Sequence, residues 1–252
     1  MTCKMQEMTW NDFDRIRREG IVVLPVGSTE QHGPHLPLSV DAIISGRLSE
    51  MVAQKVGGAV APTICYGYKS APLSGGGPLF PGTLDLNGLT LINLVSDVLE
   101  ELIRDEVKKI LIINGHYENE AFIMEAVDLI SRKYPQVKIV EASWWDQISQ
   151  PVMDKVFDEV PFPGWALEHA AVAETSLMLH FRPDLVHMER LVEDGVDEEL
   201  TYSVYPAPKE IVPATGLLAT ARSSSQEKGR LLAEDISNKY VEILKKEFQI
   251  KK

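Results

Sequence analysis

The chain has 252 residues and a formal net charge of −12, from 37 Asp and Glu against 25 Lys and Arg. That length suits one large α/β domain with a full core. The mixed charges argue against disorder, and the negative balance disfavours nucleic acid or an anionic membrane as a partner. Two cysteines, Cys3 and Cys65, are too few for a disulfide framework or a thiolate zinc site, so the thiols read as reduced. The N-terminal stretch MTCKMQEMTWNDFDRI carries charges where a signal peptide needs an apolar segment. No apolar run reaches membrane-spanning length. These features place the protein in the cytoplasm.

In chain order, GIVVLPVG reads as a buried strand, and DAIISGRLSEMVAQKVG follows as a helix with Ile44, Leu48, Met51 and Val52 on one face. AVAPTICYGY is a second strand candidate, followed by NGLTLINLVSDVLEELI with Leu91, Ile92, Val95, Leu99 and Leu102 at helical spacing. KKILIING is the third strand, ENEAFIMEAVDLISRKYP the next helix, stopped by Pro135, and VKIVEAS the fourth strand. The segment SSSQEKGRLLAEDISNKYVEILKKEF reads as a capped amphipathic helix, and the Pro-rich TYSVYPAPKEIVPATG as an ordered surface loop. Unbroken apolar strands alternating with helices predict an α/β fold with a mostly parallel central sheet covered on both faces. No linker or repeat divides the chain, which reads as a single domain over residues 1–252.

In such a sheet, the loops leaving the carboxyl ends of the strands open on one edge, where ligands bind. They carry STEQHGPHLPLSVD, KSAPLSGGGPLFPG, HYEN and WWD. Glu30, His32 and Asp41 from the first loop would meet His116 and Glu118 from the third. Two imidazoles and three carboxylates suit zinc, manganese or a similar divalent ion. Five ligands exceed what one catalytic zinc with an open position uses, so two ions sharing a carboxylate is the economical arrangement. In extended backbone, residues two apart face the same side, which would turn Glu30 with His32, and His116 with Glu118, into one cavity. Taken alone, Asp41 reads first as the cap of the helix that begins there; its place among the other ligand candidates favours the metal. His35 reads as structural, or as support for a ligand; His180 and His187 have no assigned role.

VLPVGSTEQHGPHLPLSVD, YGYKSAPLSGGGPLFPGTLDL, LIINGHYENEAFI and GWALEHAAVAETS together resemble the creatininase (creatinine amidohydrolase) family over nearly the whole chain. The resemblance implies a three-layer αβα sandwich, a homohexamer, and two divalent metal ions per subunit, zinc, manganese or both. One ion would lie on Glu30, Asp41 and His116, the other on His32, Asp41 and Glu118, with Asp41 bridging. It also singles out Ser74, Tyr117, Trp145 and Trp165 for the substrate, and His169 with Glu118 for catalysis. Glu168 and Glu174 would orient histidines. The implied reaction is the opening of creatinine, a small-molecule substrate, to creatine by a hydroxide held between the ions. One departure stands out: creatininases carry an acidic residue after the tryptophan of the GW motif, and this chain has Ala166. A family hydrolase of a cyclic keto-inositol or a formamide, or a non-catalytic metal-binding subunit, are the alternatives.

Overall fold

The computed structural model describes residues 2–70, 77–196, and 202–249 except 203, 207, 209 and 211. Four parallel strands, β1 (Val22–Val26), β2 (Ala59–Val60), β3 (Lys109–Asn114) and β4 (Lys138–Ser143), form one sheet in the order β2-β1-β3-β4. Seven helices accompany them among the described residues: α1 (Trp10–Arg17), α2 (Val40–Val56), α3 (Gly88–Arg104), α4 (Glu120–Lys133), α5 (Gln150–Val156), α6 (Val172–Phe181) and α7 (Gln226–Phe248).

Alternation along the strands divides the interior in two. Val23, Leu111 and Ile113 point to a core shared with Ile44 and Leu48 of α2, Leu177 of α6 and Leu232 of α7. Val22, Leu24, Ile110 and Ile112 point the other way, to Leu91, Val95 and Leu99 of α3 and Ile123 and Ile130 of α4. Both faces of the sheet are thus covered, giving the expected three-layer α/β sandwich. The helix periods hold as read: Leu91, Val95, Leu99 and Leu102 are all buried in α3. Ser225 caps α7 by accepting from the Lys228 amide at 3.1 Å.

The second strand is shorter than expected. Pro62 has no N–H to continue the ladder, which breaks after Ala61 donates to Val23 and resumes only where Ile64 pairs with Val26. No described helix is long and apolar enough to cross a membrane.

Candidate metal centre

The start of α2 sits against the ends of β1 and β3 because both strands finish in glycine. A Cβ on Gly27 would lie 2.5 Å from the Ala42 nitrogen, and one on Gly115 2.5 Å from the Asp41 carbonyl oxygen. No larger residue allows that approach. Asp41 therefore enters from the first turn of α2, where the helix dipole favours its charge. It does not cap the helix: Ser39 occupies that position. The loop after β1 folds Glu30 and His32 onto the same spot, the Glu30 amide donating to Leu38 at 3.0 Å. The loop after β3 brings His116, whose amide donates to Asn114 Oδ1 at 3.1 Å.

Four buried side chains meet there. Asp41 Oδ1 lies 3.0 Å from His32 Nε2, and Asp41 Oδ2 lies 3.1 Å from His116 Nδ1. Glu30 Oε1 is 3.0 Å from the same His116 nitrogen, and its Oε2 accepts from the Ser70 hydroxyl. Glu174 of α6 closes the far side, Oε2 3.6 Å from His32 Nε2. Among the described residues, two groups with the donor atoms and spacing to hold a metal ion result, Glu30 with Asp41 and His116, and His32 with Asp41 and Glu174, and they share Asp41. A third grouping joins Glu30 and His32 to His169. The outward nitrogens are engaged: His116 Nε2 faces the Tyr68 carbonyl at 2.9 Å and His32 Nδ1 the Glu30 carbonyl at 3.2 Å. Protons held on those atoms leave the inward nitrogens with lone pairs, the usual preparation of a metal-binding histidine.

The residues fit divalent ions. Asp41 Oδ2 and His32 Nε2 are buried and face His116 Nδ1 at 3.1 Å and Asp41 Oδ1 at 3.0 Å respectively, contacts that need either a proton or a cation between the partners. Among the described residues lining the pocket none is Lys or Arg. In the metal-free protein, imidazolium protons take the cation's place. Burial opposes charge on His32, yet Asp41 and Glu174 raise its pKa well above the ordinary 6.5. Burial likewise opposes the rise of His116, which Glu30 and Glu118 drive. Despite burial, Glu30 and Asp41 are held below their usual values by these histidines. Glu168 is pushed well up, first by burial and then by Glu174. Burial, followed by the charge of His32, lowers His169.

Glu118 departs from the expected arrangement. His116 has extended backbone, but residues Tyr117–Asn119 form a 3-10 turn, which ends the alternation that would have aimed Glu118 at His32 and Asp41. Its Oε2 instead faces the outer nitrogen of His116 at 3.3 Å, and Glu174 occupies the place beside His32. Glu118 still lines the pocket, with Tyr117, Trp144, Trp145, Trp165, Ala166 and His169. Trp144 packs edge-on to Trp145 at 5.7 Å and to Trp165 at 5.9 Å, and Tyr117 stands 5.7 Å from Trp145. His169 stacks 4.3 Å from the His32 ring, with Nδ1 3.8 Å from Glu30 Oε1. Glu168 accepts from the Ala173 amide at 2.6 Å. His35 contacts Thr175 Oγ1 at 2.9 Å. Ser74 lies outside the described residues.

The model of the family described as creatinine amidohydrolase matches residues 6–244. The creatinine amidohydrolase of Pseudomonas putida is 38% identical over 249 residues, 96% of this chain and 96% of that protein. The 3-dehydro-scyllo-inosose hydrolase of Thermotoga maritima is 30% identical over 194 residues, 75% of this chain and 59% of that protein. Two solved creatininase structures, one described as the Mn form and one as a mutant complexed with creatine, each match with a TM-score of 0.95 at 37% identity, covering 99% of this chain and 100% of theirs. The chain belongs to the creatininase (creatinine amidohydrolase) family of hydrolases.

Proposed function

We propose that this enzyme hydrolyses the cyclic amide of creatinine to creatine with two divalent ions, zinc, manganese or both. The observation that carries the reading is the pair of buried ligand groups sharing Asp41 at the foot of a tryptophan-walled pocket. Glu30, Asp41 and His116 would hold one ion, and His32, Asp41 and Glu174 the other. Divalent ions at such a site lower the pKa of water from about 15.7 toward roughly 7 and polarise a carbonyl.

The protein's own groups supply the rest. Trp145, Trp165 and Tyr117 offer aromatic surfaces that orient a flat ring, with Ser74 as a further substrate contact carried by the family resemblance alone. As water's oxygen bonds to the amide carbon and the ring C–N bond breaks, the departing nitrogen needs a proton. His169, whose charged form burial disfavours at rest, would take the proton released by the attacking water and pass it to that nitrogen, ending neutral again. Glu118, on the outer face of His116, orients that ring and faces the pocket as a second proton-handling group. A cytoplasmic homohexamer is part of the same reading, as is one domain over the whole chain.

A second reading keeps the metals and changes the substrate. Ala166 lines the pocket, where family resemblance anticipates an acid, and the similar Thermotoga maritima protein is a 3-dehydro-scyllo-inosose hydrolase. Protein purified without added metal, then supplied with zinc or manganese, tests both. Metal-dependent creatine formation from creatinine supports the first reading. Consumption of a cyclic keto-polyol with no creatine formed under either metal overturns it and leaves a hydrolase of another substrate.

A further inference from the structure

Gln31 lies between two of the ligands, Glu30 and His32, yet its carboxamide turns away from them. It is buried, with 6% of its surface exposed. Oε1 accepts from the Gly33 amide at 2.8 Å, and Nε2 donates to the Gly216 carbonyl, 185 residues away, at 3.0 Å. These bonds fix which end of the amide is which. Nε2 then lies 3.0 Å from His169 Nε2, and the Gln31 backbone carbonyl lies 2.8 Å from that same imidazole nitrogen.

One residue thus presents a donor and an acceptor to one histidine nitrogen. When Nε2 of His169 is protonated, it donates to the Gln31 carbonyl; when it is bare, it accepts from the Gln31 amide. Both neutral tautomers are hydrogen-bonded, and in both the ring keeps Nδ1 turned toward Glu30. The latch on Gly216 is tight. This residue has φ +76°, and a Cβ there would lie 2.0 Å from Gln31 Oε1 and 2.5 Å from its carboxamide carbon. The segment after the Pro-rich loop is thereby tied to the site through a single side chain.

We infer that Gln31 is the positioning residue for His169: held by Gly216, it fixes the ring through Nε2 and keeps Nδ1 facing the reacting groups. This rests on the proton-transfer role proposed above for His169. It assigns no metal ligation to Gln31, whose carboxamide bonds to Gly33 and Gly216, and it ties Gly216 to the site.

The test uses zinc-loaded enzyme carrying Gln31→Met, Gly216→Ala, His169→Ala, or both Gln31→Met and His169→Ala. Zinc content, ring ¹⁵N chemical shifts and steady-state kinetics with creatinine are measured. His169 signals are identified by their loss in His169→Ala. In the wild type, its two nitrogens should show averaged tautomer shifts. In Gln31→Met, where only the backbone acceptor remains, and in Gly216→Ala, where the amide is displaced, they should move to the Nε2–H tautomer. Gln31→Met should lower kcat about tenfold or more, since small misplacements of a catalytic group cost on that scale, with KM and zinc content near wild type. On the His169→Ala background the same change should have no further effect, because residues acting through one another are not additive. Loss of zinc in Gln31→Met, an unchanged His169 spectrum, or an equal fall in kcat with and without His169 overturns the inference. Full activity in His169→Ala would instead overturn the role given to His169, while the tautomer shift would still report on the clamp.

Discussion

Replacing Asp41 by Asn keeps the shape of the side chain and removes its charge from both ligand groups at once. In the metal-free protein, Asp41 faces His32 at 3.0 Å and His116 at 3.1 Å. At an effective dielectric of about 20, each such pair is worth about 5 kcal/mol before desolvation. Breaking a buried pair costs a net amount of about 3–5 kcal/mol. The lower end applies, because His116 retains Glu30 at 3.0 Å and His32 retains Glu174 at 3.6 Å. A loss of about 3 kcal/mol in a chain of this length lowers Tm by about 6–12 °C. This contribution is at full strength at neutral pH, since the folded pKa of Asp41 is depressed and its stabilisation disappears only as pH falls through that value. Calorimetry on metal-stripped protein measures the shift, and elemental analysis after dialysis against zinc should find at most one ion per subunit. Two ions per subunit with an unchanged Tm would refute the sharing of Asp41.

His169→Ala should retain both ions and slow turnover roughly 10²–10⁴-fold, the span of a general acid or base; loss of metal by elemental analysis would make His169 a ligand. Glu174→Gln should cost one ion per subunit, whereas Glu118→Gln should keep both and lower kcat, a contrast that reverses if Glu118 is the ligand. Trp145→Ala or Trp165→Ala should reduce kcat/KM for creatinine by about 1–3 kcal/mol with unchanged metal content; a cyclic keto-polyol, held through its hydroxyls, should be affected less. The pKa values of His32 and His116 are raised, so in metal-free protein their stabilisation is complete below pH 6.5 and fades as pH rises through the folded values. Zinc requires both rings neutral, so its affinity should climb across that window, with proton release on binding visible by titration calorimetry in buffers of different ionisation enthalpy.

The layer order was legible because burial on both faces leaves unbroken apolar strands, and helices such as Gly88–Arg104 carry one apolar stripe. Glu30, His32, Asp41 and His116 were legible for a related reason: parallel strands send their following loops to one edge, so residues far apart in sequence could be brought together on paper. The rest is local. The backbone tightens into a 3-10 turn immediately after His116, and neither HYEN nor its flanks announces that, so the reach of Glu118 does not follow from the rule for extended chain. Glu174 reads in the sequence as support for a histidine. It sits in the otherwise apolar VAETSLML, where a buried carboxylate needs a partner, but nothing in the sequence places that helix beside His32. Gln31 and Gly216 have no sequence signature, since their contact depends on where a segment 185 residues downstream returns.

Charge accounting supports two ions over one. Glu30, Asp41, Glu118 and Glu174 all line one small pocket. The histidines that accompany them carry compensating protons only while no metal is bound. Once His32 and His116 are neutral ligands, a single divalent ion would leave Glu30, Asp41 and Glu174 sharing two positive charges, and one of the two groups would be a buried acid facing nothing. A second ion would remove that excess, and with it the need for protons between Asp41 and the two histidines that face it. Glu168 does not enter the sum as an anion, because burial beside Glu174 favours its protonated form. With its proton retained, Glu168 can hold the loop before α6 through the Ala173 amide without competing for metal. Glu174 stands in a possible ligand group with His32 and Asp41, its Oε2 3.6 Å from His32 Nε2, and Glu168 stands in none of those groups, which is why replacement of Glu174 by Gln should cost an ion and the same change at Glu168 should not.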